Sequence, residues 1–152
     1  MKIQKDFRPL GCSECADGRC LDFDFTMAYQ PIVNTTTRQV FAQEALARGL
    51  NNEPAGKVFE NVNDSNRYRF DQTCRVKAIK LAAELNITSL LSINFMPNAV
   101  YRPELCIRTT VAAAEQYGFP ITQIIFEITE SETIDDHAHL RDIVQHYKQL
   151  GF

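Results

Sequence analysis

The stretch SLLSINF, residues 89–95, is a short apolar run whose length suits a buried parallel strand. Pro97 and Asn98 follow it and end the strand. The segment before it, residues 67–85, has helix-forming composition, and apolar residues recur there at helical spacing: Phe70, Cys74, Ala78, Leu81 and Leu85. The sequence therefore predicts a long helix that leads into a buried strand.

The same pattern continues downstream. Pro103 suits the first turn of a second helix, and Gly118 is a natural stop for it. Residues 124–129, IIFEIT, form the next short apolar run, and Asp135 or Asp136 can cap a last helix. Alternating helices and strands imply parallel strands joined by right-handed crossovers, which is an α/β fold.

Upstream, the pattern changes to that of a hairpin. Residues 23–33 alternate apolar and polar side chains, residues 34–37 (NTTT) favour a turn, and residues 39–48 predict a second strand. Residues 49–66 are rich in Asn, Gly and Pro and are interpreted as a surface connection. The predicted α/β fold thus begins with an antiparallel hairpin.

Cysteine usage separates the first residues from the rest. Residues 1–22 predict an irregular lead-in that contains Cys12, Cys15 and Cys20, and residues 23–152 form the domain. That trio resembles half of a zinc site without an evident fourth ligand, so a local thiol cluster remains the alternative. The chain's five cysteines, an odd number, argue against a disulfide scaffold and favour the reducing cytoplasm.

Composition excludes several classes of protein. The 152 residues carry a net charge of −3, with basic and acidic side chains scattered along the chain, so no broad positive surface is expected for a nucleic-acid polymer. Apolar residues make up 45% of the chain, yet no unbroken apolar stretch approaches the roughly 20 residues that span a bilayer. The amino terminus has no apolar run typical of a secretion signal. We therefore expect a cytoplasmic globular protein with no membrane partner.

Charged residues on the second predicted strand are the first candidates for chemistry. Alternation along EALAR, residues 44–48, puts Glu44, Leu46 and Arg48 on one face. An exposed ion pair is the simple interpretation, and such a pair contributes little stability. In a barrel, however, that face would point inward, where a charge needs a ligand or a partner.

Two further polar residues interrupt buried strands. Asn94 lies near the carboxyl end of its strand, and Glu127 lies inside IIFEIT. Because carboxyl ends of parallel strands meet at one rim, Glu44, Asn94 and Glu127 could present oxygen ligands to one point. That set suits a hard cation such as magnesium or manganese (Mg²⁺ or Mn²⁺) and metal-assisted hydrolysis, with Arg48 clamping a phosphate. A buried polar network without a ligand is the alternative.

Four ordered motifs carry a family resemblance: YQPIV (29–33), EALAR (44–48), SINF (92–95) and FEITE (126–130). Together they resemble the signature of EAL domains over roughly residues 25–152. The resemblance implies a modified (β/α)8 TIM-type barrel, of which this chain holds about half, and hydrolysis of cyclic-di-GMP to linear pGpG with Mg²⁺ or Mn²⁺. By that resemblance Glu44 is catalytic and a metal ligand, Asn94 and Glu127 are metal ligands, and the substrate-binding residues are Gln30, Pro31, Leu46 and Arg48.

The family pattern continues beyond residue 152 with an Asp-Asp-Phe-Gly motif, a catalytic Lys, a Glu and a Gln. We therefore expect the 152-residue chain to be catalytically incompetent by itself. The alternative function is a non-catalytic module that binds cyclic-di-GMP or a protein. Half a barrel would leave a strand edge and apolar faces uncovered, which predicts a homo-oligomer or a complementing partner.

Overall fold

The computed structural model describes residues 21–128, 133–134 and 136–152. Its strands are β1 (Thr26–Asn34), β2 (Gln39–Arg48), β3 (Leu90–Phe95) and β4 (Ile124–Ile128). Its α-helices are α1 (Ala55–Phe59), α2 (Arg67–Glu84), α3 (Pro103–Cys106), α4 (Arg108–Tyr117) and α5 (His137–Gln149). Two 3₁₀ turns, Pro97–Ala99 and Ile121–Gln123, complete the order. After the opening hairpin, helices and strands alternate as the sequence predicts.

The four strands form one sheet in the order β1-β2-β3-β4. β1 pairs with β2 antiparallel, whereas β2 with β3 and β3 with β4 pair in parallel. Within the described ranges the sheet does not close on itself, so β1 and β4 are its edges. This arrangement confirms the predicted fold: a partial α/β barrel that starts with a hairpin.

The core lies between the sheet and the helices. Alternate residues of β2, β3 and β4 point toward α2 and α4, because successive side chains of a strand face opposite sides. The main apolar cluster contains Ala45, Val76, Ala78, Ile79, Ala82, Leu91, Ile93, Ala113, Ala114, Phe119 and Ile124. Tyr29 ties the edge strand to this layer, since its hydroxyl donates to the carbonyl oxygen of Ala78 at 2.6 Å. The opposite face of the sheet carries Glu44, Ser92, Asn94 and Glu127.

Helix ends follow the local sequence with two differences. The helix predicted from Pro103 to Gly118 divides into α3 and α4 at Ile107, and Gly118 ends α4 with a positive φ of 66° that suits glycine. Asp136 caps α5 by accepting hydrogen bonds from two backbone N–H groups. Asp135, the other predicted cap, lies outside the described residues. Leu85, placed by spacing on the apolar face of α2, is 64% exposed at the helix end.

An ion-pair network lies inside the core, formed by Asp71, Arg75 and Tyr147. The Nη2 atom of Arg75 lies 2.7 Å from Oδ2 of Asp71, and Nη1 donates to the Tyr147 hydroxyl at 3.0 Å. Burial alone would lower the pKa of Arg75, but Asp71 and Tyr147 outweigh it and hold that pKa above its ordinary value. Burial raises the pKa of Asp71, while the Arg75 charge opposes that rise. The guanidinium therefore stays charged inside the protein.

The cysteines within the described residues are core side chains. Cys74 and Cys106 are buried free thiols, as the sequence predicts. Burial raises the pKa of the Cys74 thiol well above its ordinary value, which keeps it protonated. Cys12, Cys15 and Cys20 lie outside the described residues. No helix in the described ranges is both long enough and apolar enough to cross a bilayer.

Truncating the core side of α2 should destabilise the fold far more than truncating its exposed end. Ile79 is completely buried, so Ile79→Ala should lower the free energy of unfolding by about 2–5 kcal/mol. Leu85→Ala removes an exposed side chain and should change it by less than about 0.5 kcal/mol. Urea denaturation followed by circular dichroism measures both, and equal losses would contradict the described core.

Candidate polar site at the carboxyl ends of the strands

Two polar side chains from different strands meet on the sheet face opposite the main apolar cluster. The Nδ2 atom of Asn94 on β3 donates to Oε1 of Glu44 on β2 at 2.9 Å, although 50 positions separate them in sequence. In the parallel register Glu44 pairs with Ser92. Asn94 is two residues further toward the carboxyl end of β3, which is the next position on the same face. The structure therefore brings together two of the three residues that the sequence selected as metal ligands.

Glu127 stands on the neighbouring strand at the same level. The register of β3 and β4 pairs Asn94 directly with Glu127, and paired residues share a face of the sheet. Glu44, Asn94 and Glu127 are each partly buried. The three oxygen-bearing side chains thus lie on one face of three adjacent strands, near their carboxyl ends.

The predicted substrate-binding residues lie on the hairpin that borders this row. Gln30 on β1 pairs with Glu44, so it extends the polar row to the edge strand. Leu46 and Arg48 follow Glu44 on the same face, and Arg48 donates from Nη1 to the carbonyl oxygen of Ala47 at 2.8 Å. Pro31 pairs with Gln43 and by alternation lies on the opposite face from Gln30.

A cavity of about 810 Å³ opens where β2 and β3 end. Glu44, Leu46 and Asn94 line it, and α1 and α2 supply the opposite wall. Its volume is in the range of pockets that hold small-molecule ligands. The cavity is also lined by Phe59, Arg67, Asp71, Met96 and Asn98. A cavity of small-molecule size, lined in part by Glu44 and Asn94, therefore lies beside the row.

The chemistry of the donors fits a hard divalent cation. Because Asn94 gives its amide N–H to Glu44, its amide oxygen is the atom available to a ligand. Two carboxylates and an amide oxygen match the preference of Mg²⁺ and Mn²⁺ for oxygen. Among the residues that the structure describes, no three His, Cys, Asp or Glu side chains cluster as a metal site.

Sequence reasoning missed Asp71, which lines the cavity from α2 and is only 2% exposed. Its Oδ1 accepts the backbone N–H of Met96 at 2.9 Å. A signal was present in the sequence, because Asp71, Arg75, Ala78 and Ala82 recur at spacings of 4, 3 and 4 along one helical face. Opposite charges four residues apart on a face that also carries small apolar residues are typical of a buried ion pair.

The fold and this donor set define an α/β-barrel domain with an acidic, amide-containing site at the carboxyl rim of its strands. The model of the EAL domain family matches residues 19–152. The chain therefore belongs to the EAL domain family, as the four motifs indicated.

Solved structures place the chain among EAL proteins. A standalone versatile EAL protein from Vibrio cholerae O395, in its c-di-GMP bound form, is 63% identical with a TM-score of 0.82. The match covers 87% of this chain and 56% of that one. Klebsiella pneumoniae BlrP1, in a manganese/cy-diGMP complex, is 26% identical with a TM-score of 0.71 over 84% of this chain and 33% of that one.

A curated relative gives a more distant match. The blue light- and temperature-regulated antirepressor BluF of Escherichia coli K12 is 24% identical over 125 residues, which is 82% of this chain and 31% of BluF. The chain thus spans about a third of BluF and BlrP1 and just over half of the Vibrio protein.

The hydrogen bond between Glu44 and Asn94 should couple the two side chains energetically. A double-mutant cycle with Glu44→Ala and Asn94→Ala should give a coupling free energy of about 1 kcal/mol or more, because a charged acceptor strengthens the bond. The exposed pair Lys57–Glu60 is the matched control, with at most about 0.5 kcal/mol expected. Urea denaturation measures both cycles, and additive effects at Glu44 and Asn94 would contradict the contact.

Proposed function

We propose that this chain supplies the Glu44, Asn94 and Glu127 part of a metal-dependent site that acts on cyclic-di-GMP, with hydrolysis to linear pGpG as the reaction. The single observation that carries the proposal is the geometry of these residues. Asn94 is hydrogen-bonded to Glu44 and stands in register with Glu127, so three oxygen donors face the same side at one rim.

The relatives support the nature of the ligand. The Vibrio protein, 63% identical to this chain, has a c-di-GMP bound structure. BlrP1 has complexes that contain cy-diGMP with manganese or calcium. A divalent cation and a cyclic dinucleotide are therefore the first ligands to test on this chain.

Each residue has a distinct proposed role. Glu44, Asn94 and Glu127 would hold the cation, and Glu44 would be catalytic because it lies at the cavity floor and bonds to Asn94. A bound Mg²⁺ or Mn²⁺ would supply Lewis-acid polarisation of a phosphoryl oxygen and acidify water. Arg48 would bind a phosphate through its planar guanidinium.

The hairpin and the cavity would bind the rest of the nucleotide. Gln30 and Leu46 are the proposed contacts of the guanine and backbone side, and the side chain of Pro31, which the resemblance assigns there too, lies on the opposite face from Gln30. Gln30 can offer amide donors and acceptors beside Glu44, and Leu46 supplies an apolar wall of the cavity. The cavity walls of α1 and α2 would exclude water from one side of the bound nucleotide.

A second candidate is a binding module that holds cyclic-di-GMP or a protein without hydrolysis. The name of BluF, an antirepressor, describes a protein that acts by regulation, and this chain matches 31% of it. Binding and hydrolysis require the same phosphate and base contacts, so product formation is the property that separates the two candidates.

Removing a carboxylate from the row should weaken cation binding. Glu44→Gln and Glu127→Gln should each raise the Kd for Mn²⁺ at least about tenfold, because a charged oxygen ligand becomes a neutral amide. Glu84→Gln is the matched control: Glu84 is 54% exposed at the end of α2, away from the strands' carboxyl ends. Isothermal titration calorimetry measures the Kd, and equal affinities in all variants would refute the proposed ligands.

The 152-residue chain should bind cyclic-di-GMP in the presence of Mn²⁺ without forming pGpG. This follows from the resemblance, which assigns the Lys that activates water to a motif outside residues 1–152. Chromatography of the reaction mixture detects the product, with Glu44→Ala as the background. Product formation well above that background would contradict the expected inactivity and favour the hydrolase over the binding module. Absence of binding at high micromolar nucleotide would refute the hydrolase and the cyclic-di-GMP-binding module, and would leave the protein-binding module.

A further inference from the structure

We propose that the buried pair of Asp71 and Arg75 is a positioning device that sets the spacing of Asn94 and Glu127. Neither side chain belongs to the proposed ligand set. Arg75 acts from the opposite face of the sheet, on Phe95 and Phe126, and Asp71 acts on the backbone where β3 ends. The inference rests on the proposed function in that Asn94 and Glu127 are the groups being positioned.

Asp71 fixes the backbone where β3 ends. Its carboxylate is almost fully enclosed, and Oδ1 accepts the Met96 N–H at 2.9 Å. Met96 follows Asn94 by two positions, at the point where the chain leaves the strand. Because a buried carboxylate accepts this N–H strongly, the last turn of backbone after Asn94 cannot shift without breaking a charge-assisted bond.

Arg75 contacts both strands from behind. Its Cζ atom lies 5.4 Å from the centre of the Phe95 ring and 5.0 Å from that of Phe126. Phe95 adjoins Asn94 in sequence and Phe126 adjoins Glu127, and the register pairs Asn94 with Glu127. Neighbouring residues of a strand face opposite sides. Arg75 therefore packs on Phe95 and Phe126 behind the sheet, while the residues next to them, Asn94 and Glu127, lie on the site face.

Tyr147 secures the other side of the guanidinium. Its hydroxyl accepts from Nη1 of Arg75 at 3.0 Å, and its ring lies 5.9 Å from Cζ. The ring of Tyr147 also packs at 5.1 Å from that of Phe126. Helix α5 thus covers the remaining side of the guanidinium, so a shift of Arg75 would disturb contacts with both β4 and α5.

Stability alone does not account for the choice of an ion pair here. Well-packed apolar side chains of similar volume can replace a buried ion pair with neutral or favourable effect on stability. A guanidinium differs from an apolar side chain, because it pairs with the Asp71 charge and donates to the Tyr147 hydroxyl while it lies over the Phe95 and Phe126 rings. Directional bonds fix a position, whereas apolar packing only fills a volume.

The decisive variant is the double substitution Asp71→Leu with Arg75→Met, which removes both charges and preserves apolar volume. We expect it to fold, to lose the nuclear magnetic resonance signature of the Asn94 side-chain amide bonded to Glu44, and to bind Mn²⁺ about 10–100-fold more weakly. Ile79→Ala is the matched control, since it destabilises α2 without touching the network, and it should keep the wild-type Asn94 signal and Mn²⁺ affinity.

Arg75→Lys is the second variant, which keeps a buried charge but loses the planar fork. If the double variant does not fold, Arg75→Lys should show the same loss of the Asn94 signal and of Mn²⁺ affinity. Wild-type values of both quantities in a folded variant would overturn the positioning role and leave a structural one. If the wild-type chain binds no Mn²⁺, the proposed function fails, and the Asn94 signal alone still decides the positioning role.

Discussion

A guanidinium enclosed by three aromatic rings can remain in the protein interior only if a carboxylate stays beside it. In this chain Arg75 is completely buried and Asp71 is its partner at 2.7 Å. Removing either one would leave an unpaired charge in the core, which is among the most destabilising changes a domain can undergo. Through this pair, helix α2 is joined to the end of β3 by the Asp71–Met96 hydrogen bond and to α5 by the Arg75–Tyr147 hydrogen bond.

The candidate site lies on the face of β3 and β4 opposite Arg75. Because strand residues alternate, Phe95 and Phe126, which pack on Arg75, are next in sequence to Asn94 and Glu127 on the polar face. A slip of one residue between β3 and β4 would exchange the two faces, putting Phe126 toward the site and Glu127 into the core. The pairing register of β3 and β4 therefore determines both the packing of the apolar layer and the positions of the polar side chains.

Much of this could be predicted from short apolar runs. Periodicity predicts the hairpin, the long helix α2 and the strands around Asn94 and Glu127. The parallel arrangement of the strands predicts that Glu44, Asn94 and Glu127 lie at the same rim. The ordered motifs indicated the family. These features are local or depend on topology alone.

Other features depend on tertiary packing and were not predicted. Spacing placed Leu85 on the apolar face of α2, but the sheet ends before it and leaves it exposed. Asp71 was overlooked because periodicity was read from apolar residues only. The break between α3 and α4 at Ile107 could not be predicted, because no Gly or Pro marks it. Ile107 itself keeps helical backbone angles.

The order of the strands in space is also their order along the chain. During synthesis on the ribosome, each strand therefore emerges after the neighbour on which it must dock, and no strand has to be inserted between two that are already paired. The hairpin is the first template, because its two strands are joined by a short turn and need no crossover. The sheet can then grow in one direction, because each new strand pairs at the edge opposite β1.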